Sequence, residues 1–521
     1  MTTAPMSEFR AKPVVLRDKI AHLLMVRIGS HMPPVRTVEE DEARIARLLD
    51  DCPVGGLVLF NGGPQTAAAL ARLQAASEIP LLVASDIERG VGQQVAGHTL
   101  VPHAMAFGKL GADALEVVAQ FSRLVADEAR EVGINITFFP VVDVNTNFRN
   151  PIIATRAFSE NVDRVVELTR AYVAASEAAG LPTTAKHFPG HGHTHKDSHD
   201  SLPVVERSLG DLQQCELPPF RAAIDAGCSL VMTAHVAYPA VDPSGLPATL
   251  SPTFLQKMLR DEMGFRGVVV CDSLLMAGLR DCFATEEESA LACVEAGVDV
   301  LLDPQEPVKV LDYLCAAVDS GKLKAERVDE ALDRIWDLKR RIFSKTGVGA
   351  AAKSTESDHA ITILAERVAR GAIELTGNTA ALPLNRNDPL GVILLKPFDR
   401  PSDPAEQPLA AGLRERFRDV RYVQLGPQAD RSAYEDARRL AANVKQLVIA
   451  IIVRPAAWHV FGLRPEQSEL VGQLTRERRA VLASLGVPYV LNDYPDASVR
   501  ICTYSDVPVS QQALAEFLAG G

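Results

Sequence analysis

Short apolar runs alternate with longer stretches of helical periodicity through the N-terminal part of the chain. The runs span residues 23–29, 55–60, 80–86, 134–144, 182–188, 229–236, 267–273 and 297–303. Uninterrupted apolar runs separated by helix-length stretches, such as 112–132, predict parallel strands that are buried on both faces. Eight such repeats in about 300 residues have the size of a (β/α)8 TIM-type barrel, with a doubly wound open sheet as the alternative.

The pattern changes after residue 343. The stretch 344–358 is small, polar and without periodicity, which predicts a linker. Beyond it, apolar runs alternate with helical stretches again, at 390–396, 421–425, 446–453 and 488–493. We therefore expect a catalytic barrel domain over 1–343 and a smaller α/β sandwich domain over 359–521. No glycine-rich phosphate-binding fingerprint follows a predicted strand of the second domain, so a nucleotide-binding role has no support.

Composition narrows the class of protein. The 521 residues are 47% hydrophobic and 23% charged, as in soluble globular proteins with more than one core. A net charge of −12 disfavours nucleic acid or an anionic membrane as the main partner. The sequence shows neither a secretory signal in 1–20 nor an apolar stretch of membrane-spanning length. Its eight cysteines are scattered without a C-x-x-C pair, which predicts reduced thiols in a cytoplasmic protein.

Ionisable residues recur where the predicted strands end. In a barrel of this kind, active-site groups lie at the C-terminal ends of the strands. Such positions are occupied by Asp86, Asp143, Lys186, His187, His235, Asp272 and Asp303. Because ionisable groups are costly to bury without partners, their convergence on one rim predicts a site. Asp303 precedes Pro304, a position that also suits a cap of the next helix or turn.

Five of the twelve histidines fall within 185–203, namely His187, His191, His193, His195 and His199. A metal cage is disfavoured, because zinc ligands usually come from separate elements or from a helical i, i+4 pair. A solvated loop suits His193 and His195, whose neighbours are polar. It does not explain Lys186 and His187 at a strand end, or Asp197 two residues before His199.

The same segment carries a resemblance to a known family. The sequence "KHFPGHGHTHKDSHDSLP" (186–203) resembles the K-H-F-P-G-H-G-x(4)-D-S-H-x-x-L-P signature of the β-N-acetylglucosaminidases of glycoside hydrolase family 3. Three other segments are similar to that family: "GINITFFPVVDV" (133–144), "TRAFSEN" (155–161) and "GFRGVVVCDSLLM" (264–276). The resemblance covers about residues 15 to 345 and is looser in the second domain.

The resemblance implies roles for individual residues. It places the nucleophile at Asp272 and the general acid/base at His199, with Asp197 paired to that histidine. It also implies that the terminal sugar is bound by Asp86, Arg156, Lys186 and His187, and it implies no metal and no cofactor. The chemistry agrees, because a retaining glycosidase needs one group to attack the anomeric carbon and another to protonate the leaving oxygen. A histidine titrates near pH 6.5, so it can act first as an acid and then as a base.

Two positions depart from the family pattern. The usual D-Q-E-G-G-R-V-Q-R appears as "DIERGVGQQ" (86–94), so Gln94 stands where the family has an arginine that helps to hold the sugar. Ser273 stands where many relatives have a second aspartate. Neither change removes a catalytic group, although the first affects the expected affinity or sugar preference. Glu88 is expected to be structural rather than catalytic.

These observations predict a retaining exo-β-N-acetylglucosaminidase with a small-molecule glycoside as its partner. The resemblance implies peptidoglycan recycling fragments as the natural substrate. A phosphorylase on the same scaffold is the alternative, since a neutral histidine repels phosphate less than a glutamate does. A non-catalytic sugar-binding protein is the alternative from another class. The glycines of the 186–203 segment further predict a loop that is mobile when empty and closes over bound sugar.

Overall fold

The computed structural model describes residues 11–346, 355–400, 403–457, 459 and 461–521. Within them the chain forms two compact units. The first, here called the barrel unit, contains the described residues up to Thr99 together with Val118–Asn147 and Glu160–Ile361. The second, here called the C-terminal unit, contains Leu100–Val117, Phe148–Ser159 and Thr362–Gly521.

Eight parallel strands form the barrel unit. They are β1 (Leu24–Ile28), β2 (Gly56–Leu59), β3 (Leu82–Ser85), β4 (Ile136–Thr137), β5 (Thr184–Phe188), β6 (Leu230–Thr233), β7 (Val268–Val270) and β8 (Leu301–Leu302). The orders β4-β3-β2-β1-β8 and β5-β6-β7 are joined by the parallel bridges Thr137–Thr183 and Val270–Val300. These bridges close the ring, which confirms the predicted barrel and sets aside the open sheet.

The barrel strands follow the apolar runs because their side chains are buried on both faces. Every residue of β2, β3 and β5 is buried, for example. The run 134–144 forms only the two-residue strand β4. Pro140 has no N–H to donate to a ladder, and pairing beyond it continues as a single bridge between Val141 and Lys186.

Helices separate the barrel strands. The α-helices are Leu16–Ala21, Val38–Asp51, Thr66–Ala76, Ala114–Val132, Val162–Ala178, Leu209–Gln214, Leu217–Asp225, Ala277–Arg280, Glu286–Ala296, Pro307–Asp319 and Ala325–Thr346. Thr253–Glu262 is a π-helix, and Val91–Gln93 and Ala248–Leu250 are 3-10 turns. Capping residues in the sequence determine where several of these helices begin. Thr37 and Glu40 form a capping box at the helix that begins with Val38.

A six-stranded sheet forms the centre of the C-terminal unit. Its strands are β9 (Glu374–Gly377), β10 (Leu390–Leu395), β11 (Val420–Leu425), β12 (Gln446–Ile451), β13 (Ala480–Ser484) and β14 (Val499–Cys502). The order is β11-β10-β12-β13-β14-β9, and only β9 runs antiparallel to its neighbour. Its helices are Ala104–Lys109, Thr355–Gly371, Pro408–Arg414, Arg431–Ala442, Pro465–Glu477 and Pro508–Leu518, with 3-10 turns at Ala154–Arg156, Thr379–Ala381 and Pro488–Asp493. This α/β arrangement confirms the predicted class of the second domain.

The prediction of a strand over 488–493 was wrong. These residues form the 3-10 turn Pro488–Asp493, in which Pro488 occupies the first position, where a missing N–H costs nothing. The predictions at 390–396, 421–425 and 446–453 correspond to β10, β11 and β12.

The division into units differs from the contiguous boundaries expected from the sequence. Two stretches that precede residue 160 cluster with the C-terminal unit, where His103 Nδ1 lies 2.8 Å from Ser505 Oγ and the Ala456 amide donates to Pro151 O. Of the predicted linker 344–358, the two ends lie in helices, and residues 347–354 lie outside the described residues.

Two further facts bear on the class of protein. All eight cysteines are free thiols. Over the ranges that the structure describes, no helix combines the length and the apolar character needed to span a membrane.

Candidate active site

A buried lysine joins the ends of two barrel strands. Lys186 belongs to β5, and its ammonium lies 2.6 Å from Asp86 Oδ1 and 2.8 Å from Glu88 Oε1. Its side chain is only 2% exposed, so the two carboxylates supply the charge balance that a buried cation requires. Asp86, which follows β3, keeps 29% of its side chain exposed and can therefore also accept a ligand.

Asp143 is the centre of a second group of contacts. Its buried carboxylate accepts hydrogen bonds from His187 Nδ1 at 2.8 Å, from the His187 amide at 3.2 Å and from the His191 amide at 2.6 Å. Because an ionised carboxylate only accepts, His187 carries a hydrogen on Nδ1, which leaves Nε2 on the opposite side of the ring. Asp143 therefore fixes both the orientation and the tautomer of His187.

Asp197 and His199 form a pair of the same kind. His199 Nδ1 lies 2.6 Å from Asp197 Oδ1, which also accepts the His199 amide at 2.9 Å. Asp197 is buried, whereas the His199 side chain is 23% exposed. The carboxylate holds the ring at Nδ1, so the pair has the arrangement in which a histidine exchanges protons through Nε2.

Asp272 follows β7 and lies among histidines. It is half-buried, and its Oδ1 accepts the Ser273 amide at 2.8 Å. Burial by itself raises the pKa of this carboxyl. The nearby His187, His235 and His199 outweigh that effect, and the pKa of Asp272 is lowered from its ordinary value. The carboxylate is therefore ionised at neutral pH and lies within electrostatic reach of the Asp197–His199 pair.

His235 supports the backbone that follows Asp272. Its Nε2 donates to Ser273 O at 3.2 Å, and its Nδ1 lies 2.8 Å from Thr249 Oγ1. Burial lowers the pKa of His235, which makes the neutral ring the stable form. The structure thus gives His235 a supporting contact at the rim of the barrel.

Two glycines shape the loop between β5 and the Asp197–His199 pair. Gly190 has a φ of +146°, and a Cβ there would lie 2.6 Å from Glu216 Cγ. At Gly192 a Cβ would lie 1.9 Å from Val144 O, closer than any side chain can approach. The first half of the loop therefore runs tightly against the barrel. The predicted motion on sugar binding stays a prediction.

The remaining histidines of the loop have different surroundings. His193 Nδ1 lies 2.9 Å from Thr146 Oγ1, His195 is exposed, and His191 is buried. Among the residues with described positions, no group of three or more His, Cys, Asp or Glu side chains is placed to hold a metal ion.

Both departures from the family pattern have defined contacts. Gln94 is buried; its amide donates to Asp86 O at 3.2 Å, and its Oε1 lies 3.2 Å from His31 Nε2. The Ser273 hydroxyl donates to Asp303 Oδ2 at 2.9 Å, and the same carboxylate is ion-paired with an arginine of β1. Asp303 is therefore a structural partner of the segment after Asp272.

Arg156 belongs to a different unit from the other predicted site residues. It ends the 3-10 turn Ala154–Arg156, whose residues cluster with the C-terminal unit, and its guanidinium donates to Ile152 O at 3.0 Å. The other six predicted site residues belong to the barrel unit.

Sequence reasoning overlooked the contacts of three residues. Glu88 pairs with Lys186, Asp143 holds His187, and His191, to which no role was given, is buried. A signal existed only for Asp143, which was noted at a strand end without a role. The D-x-E spacing of Asp86 and Glu88 gave no sign that one lysine bridges both carboxylates.

Comparisons with known proteins agree on one family. Residues 15–338 match the family described as "Glycosyl hydrolase family 3 N terminal domain". The chain is 30% identical over 511 residues to a β-N-acetylglucosaminidase/β-glucosidase of Cellulomonas fimi, with 93% of this chain and 89% of that protein covered. It is 40% identical over 267 residues to a β-hexosaminidase of Xylella fastidiosa (strain 9a5c), with 49% of this chain and 77% of that protein covered.

A solved structure is similar over nearly the whole chain. It is that of a glycoside hydrolase family 3 β-N-acetylglucosaminidase from Paenibacillus sp. str. FPU-7. The TM-score is 0.86 at 31% sequence identity, and the match covers 98% of this chain and 97% of the other.

Proposed function

Because the chain belongs to glycosyl hydrolase family 3 and is a glycoside hydrolase of the β-hexosaminidase type, we propose that it removes terminal N-acetylglucosamine with retention of configuration. One observation carries the proposal. An ionised carboxylate, Asp272, lies within electrostatic reach of a histidine that is itself held by a carboxylate, the Asp197–His199 pair. These are the two kinds of group that a retaining mechanism requires.

Asp272 acts as the nucleophile. A carboxylate oxygen attacks the anomeric carbon, the glycosidic C–O bond breaks, and a covalent glycosyl-enzyme forms. The reaction requires the ionised carboxylate, and the lowered pKa of Asp272 supplies it over the neutral range. The Ser273 amide and the end of β7 fix the direction of the side chain.

His199 acts as the acid and then as the base. Its Nε2 gives a proton to the departing glycosidic oxygen, and the ring then takes a proton from the water that hydrolyses the glycosyl-enzyme. Asp197 accepts from Nδ1 throughout and stabilises the protonated ring. The proton balance closes over the two steps, so no other acid is required.

The sugar is bound by charged and polar groups near the strand ends. Asp86 and Lys186 offer charge-assisted hydrogen bonds to hydroxyl groups, and His187 offers Nε2, since its Nδ1 is held by Asp143. Arg156 is assigned to the sugar by the resemblance alone. The natural substrate that we propose is a peptidoglycan recycling fragment in which N-acetylglucosamine is linked to anhydro-N-acetylmuramic acid. The cytoplasmic location stays a prediction.

Product analysis tests the proposal. The full-length protein is incubated with an aryl N-acetyl-β-glucosaminide, and the first product is followed by proton NMR before it mutarotates. The β-anomer of N-acetylglucosamine is expected, and initial release of the α-anomer contradicts retention. In phosphate buffer, formation of N-acetylglucosamine 1-phosphate instead of the free sugar would establish the phosphorylase alternative. A panel of muropeptides and chitooligosaccharides, analysed by mass spectrometry, then identifies the preferred aglycone.

A further inference from the structure

Ser198 lies between the two members of the Asp197–His199 pair and is held from two sides. Its hydroxyl lies 3.0 Å from Nε2 of His191, and its carbonyl accepts the Gly278 amide at 3.0 Å. Both Ser198 and His191 are buried. Because His199 is the next residue along the chain, these two contacts limit where its ring can lie.

Gly278 connects Ser198 to the nucleophile segment. It belongs to the short helix Ala277–Arg280, which begins five residues after Asp272. A Cβ at Gly278 would lie 3.1 Å from Ser198 O, so the absence of a side chain permits the close approach. This hydrogen bond therefore fixes the main chain of Ser198 relative to the segment that follows Asp272.

His191 is fixed independently of Ser198. Its amide donates to Asp143 at 2.6 Å, and its Nδ1 lies 2.9 Å from Thr194 Oγ1. Burial lowers the pKa of His191 to about 4. The ring is therefore neutral at the pH of the reaction. A neutral ring with a hydrogen-bonded neighbour at each nitrogen holds those neighbours in position and does not carry protons.

The contacts of His191 continue through Asp143 to His187, a proposed sugar-binding residue. Asp143, which accepts the His191 amide, also accepts Nδ1 of His187 at 2.8 Å. A continuous series of contacts of 2.6 to 3.0 Å therefore runs from His187 through Asp143 and His191 to Ser198. All four residues are buried, so water does not compete for these bonds.

We propose that His191 and Ser198 are positioning residues, which hold the acid/base His199 where it can reach the glycosidic oxygen. They tie the position of His199 to Asp143, and through it to the histidine that faces the sugar. The inference rests on the proposed function of His199 and adds that its placement depends on a neutral histidine within the same loop. A misplacement of about 1 Å in such a group costs about 10²-fold in rate.

The test compares two substrates that differ in their need for acid catalysis. Ser198→Ala removes one hydroxyl, and His191→Phe keeps a ring while removing both nitrogens. The full-length variants are assayed with the 2,4-dinitrophenyl and the phenyl N-acetyl-β-glucosaminides. The value of kcat/KM reports the first chemical step, in which only the phenyl leaving group needs a proton.

We expect kcat/KM for the phenyl substrate to fall by about 10- to 100-fold in both variants, through kcat and not KM. For the dinitrophenyl substrate it should change by less than about threefold, because that leaving group needs no proton. His195→Ala is the matched control, since His195 lies exposed on the same loop, and it should leave both substrates unaffected.

Two outcomes overturn the inference, and they are distinguishable. If His199→Ala shows the leaving-group dependence while Ser198→Ala and His191→Phe slow both substrates equally or neither, the positioning role is wrong and the role of His199 stands. If His199→Ala itself shows no leaving-group dependence, the proposed function is wrong, and the positioning role with it. Should His191→Phe lose thermal stability, Ser198→Ala decides the question, because it removes a single oxygen.

Discussion

Both ends of the barrel bury charged groups, but they do so in different ways. At the end where the strands begin, Asp299 is fully buried and accepts from Arg260, Arg327 and Arg334 at 2.6 to 2.9 Å. At the end where the strands finish, Asp272 is half-buried among histidines that it does not pair with directly. The first carboxylate is saturated by its partners, whereas the second keeps oxygen lone pairs for a ligand.

This difference shows that a buried charge does not by itself mark an active site. Asp299 has three guanidinium partners and no exposed surface, so its contacts stabilise the fold. Asp86 and His199 each have a strong partner and a side chain that is still more than a fifth exposed. A charged group with a close partner and a partly exposed side chain distinguishes the end of the barrel where we propose the active site.

The largest effect is expected from removing Asp272, the proposed nucleophile. Asp272→Asn should reduce turnover to the background rate, because a neutral amide cannot form the glycosyl-enzyme. The change is nearly isosteric, so the unfolding midpoint in urea should stay close to that of the wild type. Peptide mapping after reaction with a 5-fluoro glycosyl inactivator checks the assignment directly. Labelling of any other carboxylate would contradict it.

Removing His199, the proposed acid/base, should have the next largest effect. His199→Ala should slow hydrolysis by about 10² to 10⁴-fold, the usual value of a positioned acid/base group. His193→Ala and His195→Ala, from the same loop, should be nearly silent, and chelators should not inhibit. The measurement is kcat/KM for an aryl N-acetyl-β-glucosaminide with and without EDTA. Activity that is lost with EDTA and restored by zinc would return the histidines to a metal site.

A change at the opposite end of the barrel should affect stability and not chemistry. Asp299→Asn leaves three arginines without their shared carboxylate, so the free energy of unfolding should fall by about 3 kcal/mol. The value of kcat/KM per folded molecule should stay within about twofold of the wild type, because no substrate group meets this end. Urea unfolding followed by assay of the folded fraction measures both. A selective loss of activity would remove the distinction between the two ends.

The close packing of the loop between β5 and the Asp197–His199 pair can be tested by adding one methyl group at Gly192. Gly192→Ala places a Cβ 1.9 Å from a backbone oxygen that cannot move away, so we expect a loss of about 1–3 kcal/mol in stability together with a fall in kcat. Gly111→Ala is the control, since a Cβ there would meet no atom within 4 Å. Equal effects of the two substitutions would show that the close approach at Gly192 is not required.

The smallest effect is a pH dependence of stability that originates at His22, which lies where strand β1 begins. Burial, together with the charge of Lys339, lowers the pKa of His22 to about 3. The unfolded chain takes up a proton near pH 6.5 that the folded state refuses, so stability is complete above that pH and falls as the pH drops toward 3. Between pH 6.5 and 5.5 this group should cost about 1 kcal/mol. Urea unfolding of His22→Gln should show a shallower slope, and an unchanged slope would exclude His22 as its source.

The sequence predicted the barrel and the strand-end residues because both depend on local patterns. Eight apolar runs correspond to eight parallel strands, since strands buried on both faces favour nearly continuous apolar residues. Asp86, Lys186, His187 and Asp272 follow from the rule that active-site groups lie at strand ends. The roles assigned to these residues remain predictions until the substitutions above are measured.

What the sequence could not predict depends on contacts between distant residues. His191 lies between two glycines in sequence and carries no local sign of burial, yet it is buried and its Nε2 lies 3.0 Å from Ser198 Oγ. The strands β9 and β14 were not recognised, because β9 is largely exposed and β14 is only four residues long and contains Arg500. The strand β13 was also missed, although all of its residues are buried and most are apolar. No local signal marks the stretches 100–117 and 148–159 as parts of the C-terminal unit.

The discontinuous C-terminal unit has a consequence for the order in which the protein is made. His103 meets Ser505, a residue that leaves the ribosome 402 positions later. At about 5–20 residues per second, the early stretch waits roughly 20 to 80 seconds for its partner. Throughout that interval the early stretch lacks the contact that His103 makes with Ser505 in the C-terminal unit. The C-terminal unit can therefore be completed only after the last part of the chain has been made.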